Sequence, residues 1–68
     1  MREVRMAKMV RADEIVVGDV LVKMFDGKKK FAKVVGVKAV ESYKGKPRIE
    51  IYFGGWMRVA PDTEIEIA

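Results

Sequence analysis

Residues 31–60 read Phe31-Ala32-Lys33-Val34-Val35-Gly36-Val37-Lys38-Ala39-Val40-Glu41-Ser42-Tyr43, then Lys44-Gly45-Lys46-Pro47, then Arg48-Ile49-Glu50-Ile51-Tyr52-Phe53, then Gly54-Gly55, then Trp56-Met57-Arg58-Val59-Ala60. Three runs rich in β-branched and aromatic residues are separated by two glycine-marked turns. That is the pattern of an antiparallel meander.

The first run is too long for a simple strand, and its alternation slips at Gly36, where an isolated glycine inside a strand marks a bulge. With a bulge there, Ala32, Val34, Val37 and Ala39 face inward, and Lys33, Lys38 and Val40 face outward. Without it, Lys33 and Lys38 lie on opposite faces. The second run alternates cleanly, Ile49, Ile51 and Phe53 one way and Arg48, Glu50 and Tyr52 the other. How Gly54-Gly55 turns then decides where Trp56 points. A two-residue loop sets Phe53 opposite Trp56 and Ile51 opposite Arg58, which makes Trp56 a core residue. A three-residue loop with a glycine bulge sets Phe53 opposite Met57 and Ile51 opposite Val59. The second choice buries five apolar residues together and leaves Arg48, Tyr52, Trp56 and Arg58 outward, so it is preferred.

Working outward toward the N-terminus, Val20–Met24 reads as a strand closed by Phe25-Asp26-Gly27, because Asp-Gly tolerates the positive φ of a tight turn. Val16-Val17-Gly18-Asp19 leads into it through a Gly-Asp turn, and Arg11–Ile15 reads as a short helical turn capped by Asp13 and Glu14. Residues 1–10 fit a strand with Val4, Met6 and Val10 on one face, or a helix with Met6, Met9 and Val10 clustered. A strand added to a sheet edge is favoured, with a basic arm as the alternative. Toward the C-terminus, Ala60-Pro61-Asp62-Thr63 reads as one helical turn. Glu64–Ile67 is a last strand with Ile65 and Ile67 inward.

The chain has 68 residues, half of them hydrophobic, with no cysteine and no histidine. Such a length makes one domain, marginal by default. Neither a disulfide nor the usual zinc ligand sets are available to reinforce it. No metal or cofactor is expected. The sequence also lacks Asn and Gln while 35% of it is charged, a depletion of thermolabile amides that suggests a thermophilic source. No run approaches the ~20 apolar residues of a membrane span, and no signal-peptide core opens the chain. The expectation is therefore a cytoplasmic protein without membrane contact.

Net charge is +4 but unevenly spread: residues 1–12 are basic, 13–22 acidic, 23–46 carry eight lysines against Asp26 and Glu41, and 47–68 are acidic. A field of this kind favours a polyanion on the basic side. The reactive inventory is thin. Ser42 and Thr63 are the single serine and threonine, and no histidine is present to activate either. Asp13, Glu14, Asp62, Glu64 and Glu66 are of the kind that cap turns and solvate strands, so no enzyme activity is expected. Gly54-Gly55 is too short to cradle a phosphate and opens no helix.

The order of elements over residues 19–68 resembles the SH3-like small barrel, with residues 1–18 as an N-terminal strand or arm and turn. KOW-type RNA-binding domains and the small basic chromatin proteins of hot archaea are similar in architecture. The segment Arg11–Val20 also resembles the opening of Hint domains, the fold of inteins. Splicing chemistry needs an N-terminal Cys or Ser and an internal His, so such a scaffold would be inert in this chain.

Together these readings give an all-β, five-stranded SH3-like barrel with an extra N-terminal strand or arm, binding nucleic acid with little sequence preference. Lys33, Lys38, Lys44, Lys46 and Arg58 are expected to contact phosphates and Tyr52 and Trp56 to stack, with Lys28-Lys29-Lys30 extending the contact. The alternative is a small structural or interaction module that binds a protein partner through the exposed Tyr and Trp, or a second copy of itself through the exposed edge of the N-terminal strand.

Overall fold

A computed structural model describes residues 8–42 and 44–68. The chain is all-β, with strands β1 (Lys8–Arg11), β2 (Val20–Phe25), β3 (Lys28–Lys33), β4 (Gly36–Glu41), β5 (Pro47–Tyr52), β6 (Trp56–Val59) and β7 (Glu64–Ile67), and a single 3-10 turn at Ala12–Glu14. They form two antiparallel sheets, one in the order β1-β7-β2-β3 and one in the order β4-β5-β6. This differs from a closed five-stranded barrel: the described residues give seven strands in two open sheets. No helix among them is long and apolar enough to cross a membrane.

The reason for the difference lies at Val34-Val35. Lys28–Lys33 pairs with β2 as the return strand of a hairpin, around Asp26 and Gly27 at φ 55° and 75°. Both positive angles suit a two-residue turn, as the Asp-Gly pair leads one to expect. The Val34 N–H donates to the Asp19 carbonyl (2.8 Å) and its carbonyl accepts from Gly18 (2.9 Å), so Val34 still belongs beside the first sheet. The next residue, Val35, donates to the Tyr52 carbonyl (2.8 Å) and belongs to the second. The long strand expected over 31–43 is thus two strands in two sheets. The chain changes sheets one residue before Gly36, where no positive φ occurs.

The core forms between the sheets from Ala12, Ile15, Leu21, Val34, Ile49, Ile51 and Ile67, with Val10, Phe53, Met57, Val59 and Ile65 packed against it. In β2 the buried residue is Leu21, while Met24 on the opposite face is exposed. Val37 and Ala39 share the inward face with Ile51 and Ile49, yet are exposed because β4 is an edge strand that the other sheet does not cover. The chain returns from β6 to the first sheet through Ala60–Thr63. This is a hydrogen-bonded turn (Thr63 N–H to Ala60 carbonyl, 3.0 Å) rather than a helical one. The 3-10 turn docks on it through Ala12 N–H to the Thr63 carbonyl (2.8 Å) and Asp13 N–H to the Pro61 carbonyl (3.0 Å). In the N-terminal segment, Lys8–Arg11 is a strand at the sheet edge, paired with β7. The rest of that expectation, residues 1–7, lies outside the described residues, as does Tyr43.

Candidate nucleic-acid interface

The candidate surface is the outer face of the β4-β5-β6 sheet. Strand alternation in β5 sends Ile49 and Ile51 to the core and Arg48, Glu50 and Tyr52 outward. The register across to β6 is Tyr52 opposite Trp56, Ile51 opposite Met57, Glu50 opposite Arg58 and Ile49 opposite Val59. Phe53, Gly54 and Gly55 form the loop, with Gly54 at φ 97°. Neither pairing considered from the sequence occurs. The observed one is shifted by two residues from the preferred choice, and a shift of two keeps every side chain on the same face. Ile49, Ile51, Met57 and Val59 therefore face the core, and Tyr52, Trp56 and Arg58 face outward. Phe53, freed from the ladder, turns toward the core and lies under the Lys23 ammonium, 4.3 Å from its ring centroid.

On this face Trp56 is 58% exposed. The Tyr52 ring stacks beside it at 6.5 Å between centroids and 26° between planes. The Arg58 guanidinium lies 5.7 Å from the Trp56 centroid. Beneath them sits Glu50, only 8% exposed. Its Oε1 accepts from the Tyr52 hydroxyl (2.5 Å), and its Oε2 accepts from Arg58 Nε (3.1 Å) and Nη2 (2.7 Å). Lys38 stands opposite Glu50 on β4, and Gly36 opposite Tyr52.

The hydrogen bonds from Tyr52 and then Arg58 hold the Glu50 carboxyl below the usual carboxylate range, against the opposing effect of burial, and the Lys38 charge adds to the lowering. The same contact with Glu50, followed by burial, pushes the Tyr52 phenol up. At neutral pH the group is a carboxylate holding a neutral phenol and a guanidinium. No buried side-chain nitrogen or oxygen among the described residues lacks a partner.

Lys44 and Lys46 are exposed on the β4–β5 turn, where Gly45 takes φ 76° and its N–H donates to the Ser42 carbonyl (2.8 Å). Five residues of β5 separate this turn from Tyr52, about 17 Å at strand rise. Lys38 and Arg58 flank Glu50 across the sheet, Tyr52 and Trp56 form the next same-face pair, and the Lys44–Lys46 turn lies at the opposite end of β5. Lys33 does not join them. It ends β3, opposite Val20, in the other sheet. Glu50 was not singled out from the sequence. The signal was there in retrospect, since the alternation that sends Tyr52 outward places a carboxylate two residues before it, on the face that also carries Arg58.

Comparison of the chain with protein-family models, with curated proteins and with solved structures finds no match.

Proposed function

We propose that this protein binds nucleic acid with little sequence preference through the outer face of the β4-β5-β6 sheet. The observation that carries the reading is the exposed Trp56 ring, flanked by Tyr52 and Arg58, both held by the buried Glu50 carboxylate. A fixed aromatic surface loses little freedom when a base stacks on it, and stacking is sequence-tolerant because every base has a π-face. Lys38, Arg58, Lys44 and Lys46 neutralise phosphates over the ~17 Å between the β4–β5 turn and Tyr52, a length that matches about five nucleotides of stacked strand at 3.4 Å each. Lys33 serves the same role from the neighbouring sheet. An SH3-like organisation of residues 19–68 belongs to the proposal. It is supported by short antiparallel strands, a chain that passes between sheets at Val34-Val35, and a tight turn before β6.

The second reading is a protein-interaction module, favoured by exposed Val16, Val17 and Val35. Salt separates the two. Affinity of the full chain for a fluorescent single-stranded oligonucleotide is measured between low and high salt, for wild type and Trp56→Ala. Five phosphate contacts give a slope of about −3 to −4 in log affinity against log salt. Loss of one stacked base weakens binding by ~1–3 kcal/mol. Absence of binding at low salt moves the assignment to a protein partner.

A further inference from the structure

The β2–β3 hairpin stands apart from the surface just described. β7 reaches β2 only at Leu21, opposite Ile67, and the Ala68 N–H closes on the Val20 carbonyl. Beyond Val22, β2 pairs with β3 alone, and β3 is a sheet edge, so residues 23–30 form a two-stranded ribbon with no strand on either side. Its pairs are Lys23 with Lys30, Met24 with Lys29 and Phe25 with Lys28. Met24, Phe25 and Phe31 are 65%, 69% and 63% exposed. Alternation puts Lys23, Phe25, Lys28 and Lys30 on one face and Met24, Lys29, Phe31 and Lys33 on the other. Lys28, Lys29, Lys30 and Lys33 make no ion pair among the described residues.

From this arrangement we infer that the β2–β3 ribbon enters the major groove of duplex DNA. The inference rests on the nucleic-acid reading and adds to it a second surface, one that takes duplex DNA. Cations on both faces are what a ribbon between two phosphate walls needs. A flat anionic surface, such as a lipid headgroup layer, is met by one basic rim and one apolar face, and here neither face is free of charge. Size agrees: the major groove is about 12 Å wide and 8.5 Å deep and admits a two-stranded β-ribbon, and the ribbon runs about 10 Å past Val22. Met24, Phe25 and Phe31 offer apolar contact to the thymine methyl groups that line that groove. The deep, narrow major groove of duplex RNA excludes such an element.

The test uses the wild-type chain with three duplexes of one sequence: DNA, DNA whose cytosines carry glucosylated 5-hydroxymethyl groups that fill the major groove, and RNA. The expected result is binding to the unmodified DNA about tenfold tighter than to either of the others. The variant K28A/K29A/K30A, checked for fold by circular dichroism, should lose that preference, with the DNA salt slope reduced by about 2 to 3. Trp56→Ala should weaken single-strand binding and leave the groove preference unchanged. Salt-reversible binding that ignores both the groove block and the triple substitution overturns the ribbon inference while leaving the nucleic-acid reading intact. Loss of binding to anionic vesicles on the triple substitution, with DNA binding indifferent to the groove, also overturns it, in favour of a membrane surface. No binding to any nucleic acid overturns both.

Discussion

Glu50 faces Arg58 across the β5–β6 ladder, and one carboxylate oxygen takes both Nε (3.1 Å) and Nη2 (2.7 Å) of the guanidinium. The other oxygen is held by Tyr52. Guanidinium and phenol are thereby both held against Trp56. A nearly buried carboxylate in the middle of a basic face lowers the local charge, and what it supplies in exchange is order in the three groups around it.

Glu50→Gln therefore separates order from charge. The amide cannot hold both partners as the carboxylate does, so thermal stability should fall and the Trp56 fluorescence anisotropy should drop as its neighbours loosen. Arg58 is one of the five phosphate contacts with or without the carboxylate, so the salt dependence of single-strand binding should keep its slope of about −3 to −4 while affinity falls with the loss of order. An unchanged anisotropy would show that Glu50 does not fix the platform.

The same cluster sets a pH window. The Glu50 carboxyl is lowered in the folded state, first by Tyr52 and then by Arg58, so its contribution is present above the ordinary glutamate pKa of about 4.3 and is lost as pH falls through the lower folded value. The Tyr52 phenol is raised, so its contribution is present below about 10 and is lost as pH rises through the higher folded value. Thermal unfolding followed across pH should show both limbs in the wild type. In Tyr52→Phe the alkaline limb should shrink and the acid limb move to higher pH. Superimposable curves for the two proteins would contradict the coupling.

Two glycines make opposite predictions. Gly36 keeps ordinary backbone angles, and a Cβ there would sit 3.6 Å from Tyr52 Cβ, an ordinary contact. Gly36→Ala should be neutral or stabilising by up to ~1 kcal/mol through the unfolded chain. Gly27 takes φ 75° in the hairpin turn, and Gly27→Ala should cost about 1–2 kcal/mol. Urea denaturation of both variants checks this, and a large loss at Gly36 would place the backbone irregularity there instead of at Val34-Val35.

Which face of β2 is core is equally testable. Leu21 is fully buried, so Leu21→Ala should cost ~2–5 kcal/mol, whereas Met24→Ala on the opposite face should stay within about 0.5 kcal/mol. Chemical denaturation of the pair reads the difference directly, and similar losses at both positions would require a second core beneath the ribbon.

Much of this architecture was legible where local chemistry is decisive. Asp26-Gly27, Gly18-Asp19 and Gly45 all mark turns whose angles few other residues adopt, and the outward side of Tyr52, Trp56 and Arg58 followed from parity, which survives a two-residue error in register. The strand break at Val34-Val35 was not legible. Two β-branched residues carry no local sign of a break, and the nearby Gly36 drew the irregularity to itself. Whether a strand continues in its sheet or leaves for another is decided by partners such as Asp19 and Tyr52, far away in sequence. Of the site, the aromatic pair and Arg58 were visible in the pattern. The placement of Lys33 on a different sheet and the burial of Glu50 depend on tertiary packing alone.

Trp56 is the single tryptophan, so its emission reports on the platform without interference. Titrating the protein at low salt with duplex DNA, single-stranded DNA and RNA, and then raising the salt, examines the proposal at the residue on which it depends. A change in Trp56 emission that saturates with at least one of these ligands and reverses with salt is the predicted result. Unchanged emission with all three at low salt would contradict nucleic-acid binding through this face.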